Sequence, residues 1–517
     1  MSRFNLIDER WIPVRFPDGS RDELGIRDTL LRSKEIAAIE DPSPLVVAAL
    51  HRFLLAVLYR ALEGPTDIDQ AKRLFRDGMP SEKIRAYLGK WREQFWLFDE
   101  RYPFGQIPGF QPKEWKAWSK LAAEHNADNA KVLFDHMDIK NPDSIPFSAA
   151  ARWLLAAQTF DLAVAKSEFV QPLDAPSARA IFFIVLGNTL HDTFCFCLKP
   201  QANHISQNDS ALWERKPETV EELRHGPRKA ILGYAELYTW RSRSIVLQEG
   251  ECGGIRNLGY ASGVNKSENI MVIDPMLCYQ VSQESGLVPL KFREDKEFWR
   301  EFDSLLPGGT NRIPLVIENA ISLGRSRKDK WPIGVLVCGQ KTKSGQAKVE
   351  FWRASTFALP QALLGSADVR TFVHSILLSV EETANELESA LWRYFRYILI
   401  HDERKTVNDL RKEEKAAIRK MVDAAEPLHF YWSTLESHFH EILQVYTLNS
   451  DTEDLYCQWL KSIRAILTQA WEQHNASVSM GDAWAIRALV KAEKPVWEKL
   501  RELDEEILKL TPAKEEA

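Results

Sequence analysis

The stretch Leu377-Leu378-Ser379-Val380-Glu381-Glu382-Thr383-Ala384-Asn385-Glu386-Leu387-Glu388-Ser389-Ala390-Leu391 decides how the C-terminal part of this chain folds. Leu377, Val380, Ala384, Leu387 and Leu391 alternate three and four apart and continue through Tyr394 and Ile398, giving one apolar stripe of a long helix. The spacing recurs in Leu428, Trp432, Leu435, Phe439, Ile442 and Tyr446, and again in Tyr456, Leu460, Ile463, Leu467 and Ala470. Ser450-x-x-Glu453 reads as a capping box for the latter. A fourth stripe, Leu489, Ala492, Val496, Leu500, Leu503 and Ile507, should kink at Pro495. Four stripes with short polar connectors predict an all-α four-helix bundle over 366–517.

Upstream the character is different. Trp11-Ile12-Pro13-Val14-Arg15-Phe16 followed by Pro17-Asp18-Gly19 reads as a strand entering a turn. Ser43 before Pro44 opens a capped apolar helix. Strand-like runs return at 243–247, 333–337 and 348–352, with punctuated loops between. Residues 1–365 therefore read as a large irregular mixed α/β domain, and the fold class is α+β. A chain of 517 residues is past the size at which one core keeps growing, which agrees with two domains.

Net charge is −6, so the chain as a whole does not advertise a polyanion partner. The distribution is uneven. From Arg325 to Arg353 eight Lys/Arg stand against Asp329 and Glu350, a local +6, whereas Thr371 to the end carries −8. The six cysteines form no C-x-x-C pair, which suits a reducing compartment. The opening residues lack an apolar signal-peptide core. The apolar runs 44–62 and 178–198 carry internal charges and read as buried helices. The expectation is a cytoplasmic protein without a membrane partner.

Motifs for catalysis are sparse. There is no G-x-x-x-x-G-K-[ST], G-x-S-x-G or H-E-x-x-H. The cluster Gly250, Gly253, Gly254, Gly259, Gly263 lacks the strand–turn–helix setting of a dinucleotide site and reads as a mobile loop. Cys195-x-Cys197 would turn both thiols to one face of a strand, yet two further metal ligands are wanting. His191-Asp192 and His401-Asp402 spell the dipeptide of metal-dependent HD phosphohydrolases, which need further His and Asp ligands around divalent ions. An HD-type phosphohydrolase or nuclease stays open as an alternative, as does a helical interaction scaffold without DNA contact.

Phe4-Asn5-Leu6-Ile7-Asp8-Glu9-Arg10-Trp11-Ile12-Pro13-Val14 resembles the opening of the CasA family, the large subunit of the type I-E CRISPR Cascade complex. Tyr102-Pro103-Phe104-Gly105-Gln106, Asn129 through Phe134-Asp135-His136, 237–243 and 346–353 resemble further family segments in the same order. The resemblance implies a non-catalytic subunit that partners other Cascade subunits, guide CRISPR RNA and double-stranded target DNA. It implies recognition of a short protospacer-adjacent motif (PAM), initiation of strand opening, and support for recruiting the helicase-nuclease. Base pairing reads the long target, so such a protein has only a few base pairs to inspect.

Three loops carry the implied DNA contacts. Gln346, flanked by Gly345 and Ala347, matches the family's wedge at a hairpin tip; read alone, Lys343–Ala347 is a solvated basic hairpin. Lys266 matches a minor-groove lysine, although exposed lysines are common. Ala163, Val164, Ala165 and Lys166 fall where the family has a glycine-rich loop, and their added Cβ atoms change which base edges can approach. Asn129, Phe134 and His136 fall in the segment implied to anchor the subunit near the guide RNA; Phe134 could equally tuck its own loop. The paired C-x-x-C zinc motif of some relatives is missing, so neither metal nor cofactor is expected.

Overall fold

The computed structural model describes residues 3–122, 143–163, 168–170, 172–202, 205, 207–250, 253–267, 272–282, 286–294, 296–307, 311–327, 329, 331–343, 349–365, 367–401, 407–447, 449–479 and 481–511. The chain divides into two units, Met1–Glu297 with Thr310–Leu359, and Phe298–Gly309 with Pro360–Ala517.

The first unit is built on the helix Pro44–Leu62. Ser43 caps it by accepting the Val46 amide, and Pro44 sits in the first turn, where no amide hydrogen is needed. By length and composition the helix could span a bilayer, yet 94% of its apolar window is buried in this unit. His51 and Arg52, both buried on it, are answered internally. The Arg52 guanidinium donates to Asp274 at 2.7 Å, and His51 Nδ1 donates to the Val47 carbonyl at 2.8 Å.

The first unit also contains several small sheets. One has the order Val349–Ala358, Gly334–Thr342, Ile181–Leu186, all antiparallel, with Leu336 opposite Thr356 and Ile184. In another, Ile255–Ser262 pairs with Arg243–Glu249 and with Lys116–Ala117. Asn265–Lys266 runs parallel to Arg228–Lys229. The strand expected near Trp11 spans Ile12–Arg15 and turns through Gly19 at φ 85°, a conformation glycine tolerates.

Two local expectations are corrected. The run 178–198 is not one helix but the strand Ile181–Leu186 followed by the helix Leu190–Cys197, with Thr189 capping the Asp192 amide. A short continuous apolar run suits either state, and the interruption at Gly187-Asn188-Thr189 decides it. Cys195 and Cys197 consequently lie on a helix, both buried. The glycines 250–254 belong to the turn region of the 243–262 hairpin, and Gly259 lies within its second strand.

The second unit is helical. Its helices are Gln361–Gly365, Ala367–Leu399, Lys412–Asp423, Glu426–Val445, Thr452–Ser477, Ala483–Ala492 and Lys494–Leu510. The four stripes read from the sequence lie on the long ones, and Lys412–Asp423 is an additional helix. Pro495 does more than kink the last stripe. It occupies the first turn of a new helix after a break at Glu493. In Glu426–Val445 the buried line is Leu428, Tyr431, Leu435, Phe439 and Leu443, so Trp432 and Ile442 flank it. Asp451, not Ser450, caps the Thr452–Ser477 helix by accepting the Glu453 and Asp454 amides. Ser450 instead accepts the Thr447 amide.

Hydrogen bonds cross-link this core. Tyr431 donates to the Val380 carbonyl at 3.0 Å and Trp459 to the Ile376 carbonyl at 3.1 Å. The segment Phe298–Leu305 folds into the same unit: Trp299, 1% exposed, lies 5.4 Å from the Phe439 ring, and Arg300 sits 3.5 Å over Trp432.

Candidate nucleic-acid interface

Ala163, Lys266 and the strand residues Thr342 and Val349 that flank the hairpin tip start far apart in sequence and converge on the segment 172–180. Asp174 is the hub. It pairs with Arg179, and its Oδ1 accepts the Ala163 amide at 2.7 Å. Arg179 Nη1 donates in turn to the Thr342 hydroxyl at 2.6 Å, the last residue of its strand before the hairpin tip. Burial pushes the Asp174 carboxyl up, but the Arg179 guanidinium and the Ala163 amide outweigh it and hold the group below its usual range. Beneath lies a small apolar cluster of Leu162, Ala175 and Ala178, with Val349 from the opposite hairpin strand packed on it. Gln340 donates to the carbonyls of Phe160 and Ala178 at 2.5 and 3.0 Å.

Lys266 joins the same segment. Its Nζ donates to the Pro176 carbonyl at 3.3 Å, and neighbouring Asn265 accepts the Leu173 amide at 3.1 Å. Half-burial lowers the Lys266 pKa from its ordinary value, and Asp174 opposes part of that shift. An ammonium has three donors, and the Pro176 carbonyl takes one. Gly263 sets where this strand lies. A Cβ there would stand 2.4 Å from the Arg241 carbonyl oxygen, so backbone rests directly on backbone.

Arg243 is the residue the sequence did not single out. It is 1% exposed and its guanidinium donates to the carbonyls of Leu162 at 2.7 Å and Leu173 at 3.0 Å, one on each side of residues 163–172. Tyr260 accepts from its Nε at 2.8 Å, and Asp161 lies 3.6 Å away. Burial raises the Asp161 carboxyl pKa, only partly countered by Arg243 and the Tyr260 hydroxyl. The signal was an arginine opening a strand-like run, which as readily marks a solvated edge.

The local +6 is partly spent inside the fold. Arg353 pairs with Glu297, outside the basic stretch, at 2.8 Å, whereas the Arg327–Asp329 pair, also at 2.8 Å, is already counted within the +6. Lys343 is exposed with no ion-pair partner among the described residues. Gly345, Gln346 and Ala347 lie outside the described residues, as do Val164, Ala165, Lys166, Asn129, Phe134 and His136.

Among the described residues the HD dipeptides do not assemble a ligand set. His191 and Asp192 are buried at the start of their helix, where His191 Nε2 contacts Cys195 Sγ at 3.6 Å. His401 stacks on Trp484 at 5.1 Å, and Asp402 is outside the described residues. Among the described residues no group of three or more His, Cys, Asp or Glu is placed to hold a metal ion.

Residues 5–470 match the family model for CRISPR-associated protein Cse1. A CRISPR-associated protein CasA/Cse1 of Thermus thermophilus is 31% identical over 98% of this chain and 99% of its own length. The chain belongs to the CasA/Cse1 family. A solved structure of Thermus thermophilus CasA superposes with a TM-score of 0.81 at 28% identity, covering 97% of this chain and all of that one. A chain of a CRISPR RNA-guided surveillance complex shares the fold at TM-score 0.71 and 18% identity, over 96% of this chain and all of that one. The CasA/Cse1 resemblance first read from Phe4–Val14 thus extends across the fold.

Proposed function

We propose that this chain is the large subunit of an RNA-guided CRISPR surveillance complex of the Cascade type. It partners the other subunits and the guide CRISPR RNA, recognises the PAM in double-stranded DNA, and helps start strand opening without catalysing a reaction itself. Its helical unit supports recruitment of the helicase-nuclease. One observation carries the DNA-reading part: Ala163, Lys266 and the base of the Thr342/Val349 hairpin are tied to one short segment through Asp174, Arg179 and Pro176. A half-buried ammonium beside a hairpin that ends in an exposed lysine suits a duplex whose backbone is anionic and whose groove floor presents acceptors.

The test is binding of the reconstituted complex to matched duplexes carrying a randomised PAM, with and without this subunit. PAM-dependent opening that requires the subunit supports the reading; equal opening in its absence overturns it. Cleavage of DNA by the purified chain with Mg²⁺ or Mn²⁺, abolished by His191→Ala, would favour a phosphohydrolase instead.

A further inference from the structure

In the first unit a cavity of about 260 Å³ lies against the sheet face carrying Leu186, Leu336 and Thr356. Val47, Ile39 and Leu190 add aliphatic wall, and Arg15, Glu40 and exposed Thr356 mark its mouth. An apolar cavity of roughly 150 Å³ suffices for benzene, so this one has room for a molecule of about ten heavy atoms.

Two buried polar side chains line it, His51 at 3% and Thr193 at 3% exposure. The Val47 carbonyl can only accept, so His51 Nδ1 carries the proton in that bond, and the neutral ring keeps Nε2 as an acceptor. Nε2 has no hydrogen-bond partner among the described residues. Burial holds the His51 pKa down at about 4, so the ring is neutral at pH 7. Thr193 Oγ1 accepts the Gly187 amide at 3.0 Å, and its own hydroxyl hydrogen has no acceptor among the described residues. The cavity thus offers one acceptor and one donor amid aliphatic carbon. Its charged lining residues pair with each other at the mouth, Arg15 Nε standing 2.8 Å from Glu40, whose other oxygen Arg21 contacts at 2.5 Å. Among the described residues no charged side chain lines the His51–Thr193 end. An ionised group at the polar end would be desolvated without a counter-charge.

We infer that this cavity binds a small neutral molecule with an apolar body and a hydroxyl or carboxamide terminus, the terminus donating to His51 Nε2 and accepting from Thr193.

The full chain is titrated with cyclohexanol, cyclohexanecarboxamide and cyclohexanecarboxylate, followed by saturation-transfer NMR and calorimetry. The alcohol and the amide should bind in the millimolar range or tighter, and the carboxylate at least roughly tenfold more weakly. Leu336→Trp, which fills the cavity from a half-buried wall, should abolish binding with the circular dichroism unchanged. His51→Phe should weaken the alcohol roughly five- to tenfold. Failure of both neutral probes to saturate the wild-type chain, or undiminished binding in Leu336→Trp, overturns the site. Unchanged affinity in His51→Phe overturns the assigned terminus.

Discussion

Arg243 donates to the Leu162 carbonyl at 2.7 Å although 81 residues separate them. Its second nitrogen reaches Leu173, so one buried cation ties together the backbone on either side of residues 163–172. Lysine keeps the charge but cannot fork between two carbonyls. Arg243→Lys should cost about 1–3 kcal/mol of unfolding free energy, read by urea denaturation. Arg243→Met, which also strips Asp161 of its counter-charge, should cost about 3–5 kcal/mol. A loss below about 0.5 kcal/mol in both variants would mean that Arg243 does not hold Leu162 and Leu173 together.

Lys266 is held by the Pro176 carbonyl within the proposed duplex interface. Lys266→Met in the assembled complex should weaken binding to a PAM-bearing duplex by about 1–3 kcal/mol. A target already opened beside the PAM should lose far less. Equal losses on both targets in a filter-binding assay would count against a groove contact.

The last described pair of the hairpin is Thr342 opposite Val349, so Gln346 belongs to the six residues that join the strands. Gln346→Ala should slow opening of a linear duplex more than of a pre-melted one, followed by fluorescence of a base analogue next to the PAM. Identical rates on both substrates would remove the wedge.

In the helical unit His474 is buried beside Tyr394 and Trp471, and burial brings its pKa down from 6.5 to about 4. The unfolded chain therefore takes up the proton first as pH falls. Stability should decline between pH 6.5 and about 4, by roughly 3 kcal/mol in all, and then level off. His474→Phe should remove that part of the pH dependence. Parallel pH profiles for the variant and the parent would refute the assignment.

The helical unit was legible because its signal is local: apolar residues three and four apart in long windows leave little choice. The strands 243–249, 334–342 and 349–358 were legible as short runs rich in β-branched and apolar residues, and only 349–358 alternates in burial at a period of two. Segment 298–305 was not, since eight residues around Trp299 and Phe302 give too short a window, and it is tertiary contacts with Phe439 and Trp432 that assign them to the helices. The cap moved from Ser450 to Asp451 because both residue types cap well and the choice rests on one turn of backbone. At the candidate interface Lys266 could be proposed from resemblance, whereas Asp174, Arg179 and Arg243 act through partners between 5 and 163 residues away. No local pattern encodes such pairs.

The contact between Gly263 and Arg241 has a practical consequence for tuning this protein. Main chain rests on main chain there, so no side-chain repacking can raise or lower the platform from which residue 266 extends. Reach toward a ligand must be adjusted through the length of the side chain at 266 itself. Even alanine at 263 would lift the platform and carry every atom beyond it out of register.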